Sequence, residues 1–280
     1  MHEICCRRIE RTFAPFLICA AAGLAFTGQA VSASADNVCT VLADAPTGAI
    51  LRQSGECNRR VPPASTFKVA IALMGYDAGF LKDETDPTLP FKEGYPDWVE
   101  SWRTDTDPAA WMKNSVVWYS QQVTQALGME KFAGYVSAFG YGNEDVSGDA
   151  GKDNGLKRSW LSSSLRISPL EQIDFLTKII GRKFPVSAHA YEMTATIQTA
   201  FELPDGWTVR GKTGAGYSVN ADGSPDRRRP FGWFVGWATK GDRTIVFARL
   251  SEFSSPQKMS PGLGTRDALL KELPSMLDAF

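Results

Sequence analysis

Four short segments hold the residue types that nucleophilic acyl chemistry needs. Ser65-Thr66-Phe67-Lys68 is a Ser-x-x-Lys pair, and on a helix that spacing puts hydroxyl and amine on one face, a turn apart. A serine hydroxyl is a weak nucleophile until an adjacent base takes its proton, and Lys68 is placed to be that base. A helix opening at Ser65 would add the positive end of the helix dipole. The spelling recurs at Ser255-Pro256-Gln257-Lys258, but Ser260-Pro261-Gly262 follow it, so this copy reads as surface connector; Ser65 leads instead into an apolar run. Lys212-Thr213-Gly214, the only Lys-Thr-Gly in the chain, ends a predicted strand, where a cation, a hydroxyl and an edge N–H can meet a carboxylate and an oxyanion. Ser115-Val116-Val117 lies between the two, opens a predicted helix and offers a hydroxyl that can relay a proton to a leaving group.

The elements that must position these groups are legible in outline. Val38 to Asp44 and Ala49 to Arg52 read as two strands joined by a turn through Pro46 and Gly48. Helical signals dominate the middle. Thr66 to Ala78 is apolar enough for a buried helix, and Ser115 to Leu127 stops at Gly128, where a C-cap belongs. Ser168-Pro169-Leu170-Glu171 is a capping box with proline at the first helical position, opening a helix that runs to Gly181. Strands return at Trp207 to Thr213, Phe231 to Ala238 and Arg243 to Leu250, before a last helix from about Thr265 to Ala279. Strands at both ends around a helical middle imply an α+β fold, an α/β/α sandwich whose mostly antiparallel sheet comes from both chain ends with a helical lobe inserted. Gly142 to Arg158 and Gly214 to Pro230 read as long irregular loops, with Arg227-Arg228-Arg229 as a solvated tip.

Composition narrows the chemistry. Arg7, Arg8 and Arg11 precede an apolar run from Phe13 to Phe26 that is too short to span a bilayer, and Ala33-Ser34-Ala35 supplies a cleavage site. Residues 1–35 therefore read as a secretory signal and 36–280 as one catalytic domain, periplasmic or secreted. Removing three arginines and two glutamates leaves 27 positive and 29 negative side chains, which argues against nucleic-acid or anionic-membrane partners. Cys39 and Cys57 are the two cysteines beyond the leader, and an exported pair is free to form a disulfide that staples the first hairpin. His189 is the single histidine beyond the leader, which excludes a multi-histidine zinc site, leaves no ready Ser-His-Asp triad, and itself reads as structural. No metal is expected.

Ser-x-x-Lys, a second serine motif and Lys-Thr-Gly, in that order, form the penicilloyl-serine transferase pattern. Within that superfamily, Tyr141-Gly142-Asn143, Ser159-Trp160-Leu161, Leu165-Arg166-Ile167-Ser168 and Gly262-Leu263-Gly264-Thr265-Arg266 resemble the class D (oxacillinase) β-lactamases along essentially the whole mature chain. The resemblance implies hydrolysis of β-lactams through an acyl-Ser65 intermediate. It implies Lys68 carboxylated by CO2 as general base, with no other cofactor, and Trp160 donating its indole N–H to that carbamate. Val117 and Leu161 would form an apolar lid, the N–H groups of Ser65 and Ala215 an oxyanion hole, and Lys212, Thr213, Gly214 and Arg266 the substrate-carboxylate site. Partners would be small β-lactams, and the protein a monomer or homodimer. The residue types agree: carbamate formation needs an uncharged amine, and burial among Phe67, Val117, Trp160 and Leu161 would lower a lysine pKa. The stretch between Tyr141 and Trp160 is longer and more glycine-rich than in many such enzymes. Alternatives on the same motifs are a penicillin-binding D,D-peptidase, which deacylates slowly, and a β-lactam sensor domain that stays acylated. Trp102 is expected in the wall of the substrate site.

Overall fold

Asp44 closes the first hairpin. Its carboxylate accepts from the N–H and hydroxyl of Thr47, its N–H donates to the Ala49 carbonyl, and its carbonyl accepts from Gly48. In the computed structural model, which describes residues 35–220 and 224–280, strand β1 (Ala35–Asp44) turns back here into β2 (Ile50–Gly55). Cys39 and Cys57 are bonded across the open end of this hairpin. All but the last residue of the expected leader lies outside the described residues.

Four later strands, β3 (Ala200–Glu202), β4 (Thr208–Val219), β5 (Pro225–Lys240) and β6 (Arg243–Phe253), complete the sheet. It is antiparallel throughout, in the order β2-β1-β6-β5-β4-β3. The helices of the insertion are α1 (Lys68–Asp77), α2 (Pro108–Asn114), α3 (Val117–Phe139), α4 (Gly155–Arg158), α5 (Pro169–Ile180) and α6 (Ala188–Thr196). Helix α7 (Pro261–Leu277) packs Leu269 and Leu273 against Leu42, Phe234 and Phe247 on one face of the sheet. The insertion covers the other face through a larger core that contains α1 and Trp233. The expected sandwich is therefore the fold. Helix α1 is apolar all round because it runs through the middle of this core, every residue from Lys68 to Tyr76 being buried. Helix α5 starts on the expected capping box, with Ser168 and Glu171 each bonded to the other's backbone.

Three expectations give way. Gly214 to Pro230 is not a loop: β4 runs on to Val219 and β5 begins at Pro225, with Gly214 opposite Trp233 and Gly216 opposite Phe231. The glycines that suggested a loop are there because the backbone is approached closely. A Cβ on Gly214 would lie 2.9 Å from the Pro63 carbonyl oxygen, and one on Gly216 would lie 2.7 Å from the Phe231 ring. The arginine run is accordingly on a strand, where Arg228 pairs with Asp226 and Arg229 with Glu252. Second, Ser115 does not open a helix. It closes α2 in the left-handed region (φ 60°), and α3 starts two residues later. Third, the helix does not end at Gly128: the backbone leaves helical geometry there (φ 75°, ψ 163°) and resumes to Phe139, because Phe132, Val136 and Phe139 continue its buried side. Gly142 to Arg158 is irregular apart from α4, as expected.

Candidate active site

Ser65 lies in a 3-10 turn, Ala64–Phe67, that runs straight into α1. The turn is held from several sides. Ala64 has φ 50°, a conformation costly for a residue with a Cβ, and its N–H donates to the Trp160 carbonyl at 3.0 Å. The Thr66 hydroxyl donates to the Pro63 carbonyl at 2.7 Å and accepts from the buried amide of Gln172 at 3.0 Å. The Gln172 amide also reaches the Tyr141 hydroxyl, while the Tyr141 ring packs edge-on against Phe67. From the sheet side, Gly214 brings the β4 backbone against Pro63 and Thr66, and Gly262 brings α7 against the Gly214 carbonyl.

Lys68 Nζ donates to Ser65 Oγ at 3.2 Å and is wholly buried. Desolvation first, and the neighbouring Lys212 cation second, hold its amine well below the ordinary lysine range. Lys212, reaching in from β4, donates to Ser115 Oγ at 2.8 Å and to the Thr213 carbonyl at 3.1 Å. Burial, then the Arg266 guanidinium, bring its pKa down to about 7. Ser115 and Lys212 meet because Ser115 sits at the break between α2 and α3 and not within a helix. The three motifs, up to 147 positions apart in the chain, thus converge on one place as two hydroxyl–amine pairs, the lysines buried and the serines half-buried.

Around this pair of pairs, Trp160 is fully buried beside Phe67, with ring centroids 5.8 Å apart. Its indole nitrogen has no hydrogen-bond partner among the described residues. Val117 is buried and Leu161 half-buried. Ala215 follows Gly214 along the β4 edge facing the Ser65 turn. Arg266 shares a recess with Lys212, Thr213 and Phe201; its guanidinium lies 5.5 Å over the Phe201 ring and bonds the neighbouring Asp267. Trp102 is buried, donating its indole N–H to the Asn114 carbonyl next to Ser115. Ser255 and Lys258 lie in the connector between β6 and α7, away from these contacts. His189 bonds the Lys82 carbonyl and packs on Tyr76. Gln172 escaped the sequence reading; the available signal was a polar residue in the buried stripe of α5 with Pro169, Ile173 and Leu176.

Residues 38–273 match the penicillin binding protein transpeptidase domain. The chain is 46% identical over 240 residues to β-lactamase OXA-9 of Klebsiella pneumoniae, covering 85% of this chain and 88% of that protein. The chain belongs to the class D β-lactamases. β-Lactamase OXA-1 of Escherichia coli is 40% identical over 213 residues, 75% of this chain and 74% of that one. The crystal structure of the class D β-lactamase OXA-427 superposes with a TM-score of 0.82 at 47% identity, covering 86% of this chain and 98% of that chain. As a class D β-lactamase the protein is a serine hydrolase of β-lactams. Among the described residues no helix is long and apolar enough to cross a membrane, and no cluster of His, Cys, Asp or Glu has the makings of a metal site.

Proposed function

We propose that this class D enzyme opens the lactam with Ser65 and clears the acyl group with the same base, a Lys68 carboxylated by CO2. The observation that carries the reading is the Ser65–Lys68 pair, its lysine wholly buried, beside the Ser115–Lys212 pair. Lys68 fits the modification: burial favours the uncharged amine that CO2 requires, and the buried indole N–H of Trp160 needs an acceptor. Carboxylation supplies an anionic base where a lone amine would be a weak one. Ser65 gives up its proton and attacks the lactam carbonyl, whose oxygen is received by the N–H groups of Ser65 and Ala215. Ser115, bonded to Lys212, passes a proton to the departing ring nitrogen. Lys212, Thr213 and Arg266 hold the substrate carboxylate, with Gly214 leaving room at the strand edge, while Val117 and Leu161 keep bulk water from the base. For deacylation Lys68 has to activate a water. The Trp160-to-Ser164 stretch offers no carboxylate for that step.

Residues 1–35 direct export on this reading, leaving 36–280 as a periplasmic or secreted domain, monomeric or homodimeric. Steady-state turnover of nitrocefin with and without bicarbonate tests the mechanism, together with carbon-13 NMR on labelled bicarbonate. One carbamate signal, absent from Lys68→Ala, and bicarbonate-dependent turnover are expected. Full turnover in CO2-free buffer without that signal overturns the carboxylation. An enzyme that stays acylated would be behaving as a D,D-peptidase or a sensor. Ser65→Ala is expected to lose covalent penicillin labelling in intact-protein mass spectrometry, and Ser255→Ala to keep it.

A further inference from the structure

A cleft of about 550 Å³ leads outward from the β4 edge, starting at Leu161, Ser162, Ala215 and Gly216. On the acyl-Ser65 reading its inner end touches the strand that receives the lactam carbonyl, and its outer end is open to the acyl side chain of a bound β-lactam. Two features of the outer end are uncommon in a purely apolar wall. Trp98 is 63% exposed and rests on Trp102 at 5.7 Å between centroids; Tyr217, also exposed, lines the same cleft. Exposed aromatic faces of this kind offer a stacking surface for a ring. Alongside them stand two guanidiniums, Arg158 and Arg227, and no carboxylate lines the cleft. Arg227 lies 5.8 Å over the Tyr217 ring and has no carboxylate partner among the described residues. Arg158 reaches Asp149 at 3.3 Å and also the Leu161 carbonyl at 3.4 Å, both long contacts. The neighbouring strand arginines are different, since Arg228 and Arg229 are each paired with an acid.

We propose that this outer cleft is a second anion site, and that the enzyme favours β-lactams whose acyl side chain carries both an aromatic ring and a carboxylate. The inference rests on the acyl-Ser65 reading above and adds a substrate class to it. Lys212 and Arg266 serve the carboxylate of the bicyclic nucleus; Arg227, supported by Arg158, serves the side-chain carboxylate, while Trp98 and Tyr217 take the ring. Because both arginines keep contact with water, the pairing is screened by salt and moderate in size.

Carbenicillin and benzylpenicillin differ only by one carboxylate at the side-chain α-carbon, so the ratio of their kcat/KM values isolates that group. In low-salt buffer Arg227→Gln is expected to lower the carbenicillin to benzylpenicillin ratio about three- to tenfold, and Arg227→Glu further. Arg227→Lys should keep most of it. Benzylpenicillin is the internal reference in all three variants: it carries the same ring, so any change in stacking on Tyr217 beneath Arg227 cancels from the ratio, and 0.5 M NaCl should shrink the wild-type advantage. A ratio that stays the same in Arg227→Glu at low salt overturns the anion site while leaving the hydrolytic reading intact. Failure of the wild type to turn over benzylpenicillin would overturn that reading instead.

Discussion

Trp160→Phe separates two roles for one buried nitrogen. The substitution keeps a ring against Phe67 and deletes the indole N–H, which has no partner among the described residues. A hydrogen bond to an anion contributes about 1.5–3 kcal/mol, whereas a buried donor with nothing to bond costs about 1–3 kcal/mol. If that N–H bonds a carboxylated Lys68, its loss weakens CO2 uptake roughly 10- to 100-fold, at about 1.4 kcal/mol per factor of ten. The half-saturating bicarbonate concentration for nitrocefin turnover should rise by that factor. Thermal unfolding provides an independent reading. Bicarbonate stabilises the wild type by mass action, and Trp160→Phe should lose about 1.4–2.7 kcal/mol of that gain, or roughly 3–10 °C at about 2–4 °C per kcal/mol for a domain this size. The cavity left by the smaller ring is present in both buffers, so it cancels from the bicarbonate-dependent difference. In CO2-free buffer the variant no longer buries an unpaired donor, which offsets part of the cavity cost. An unchanged half-saturation, with the same bicarbonate shift in Tm for both proteins, would refute the assignment of Trp160 as the donor.

Further tests concern charge and covalent structure. With Lys212 near 7 by burial and by Arg266, the free enzyme holds this cation below that pH and loses it above; kcat/KM should therefore fall above pH 7 while kcat, measured on enzyme already holding substrate, falls at higher pH. Arg266→Ala removes the repelling guanidinium, so the alkaline limb should move upward even as KM rises; a limb that stays put would mean another group titrates. Replacing Cys39 and Cys57 by serine opens an 18-residue span and should cost about 3 kcal/mol, read as a drop in Tm of roughly 6–12 °C, with kcat/KM within twofold because the β1–β2 pairing remains.

The candidate site was legible where chemistry ties residue type to spacing: Ser65 with Lys68, and Lys212 with Thr213 and Gly214, are short-range patterns. The layers followed from strands at both ends of a helical middle. Features set by long-range packing were not readable. Gly214 and Gly216 spell a loop until Pro63 and Phe231 are seen pressing on them, so the β4–β5 ribbon was hidden. Ser115 resembles a helix start, and only the Lys212 ammonium 2.8 Å away gives its left-handed conformation a purpose. Gln172 bonds Thr66 across 106 positions, a pairing no local pattern announces. Trp98 and Arg227 are ordinary surface residues in the sequence and become a cleft only when the sheet sets β5 beside Leu161.

The strand order has a consequence for how the chain acquires this structure. β1 lies between β2 and β6, so its inner edge is completed by residues some 200 positions later: Cys39 sits opposite Leu250, and Val41 opposite Ala248. The N-terminal hairpin is a local pairing, marginal by itself, but the sheet cannot close until β6 has emerged, and joining ends so distant makes for slow folding. Until then Val41 and Ala43, which end up wholly buried, have no core to enter. A chain cut short before Arg243 would keep Ser65, Lys68, Ser115 and Lys212, yet leave β1 with an open edge suited to pairing with other chains. Such C-terminal truncations should collect as aggregates. The fold thus delays commitment until its last strand is delivered.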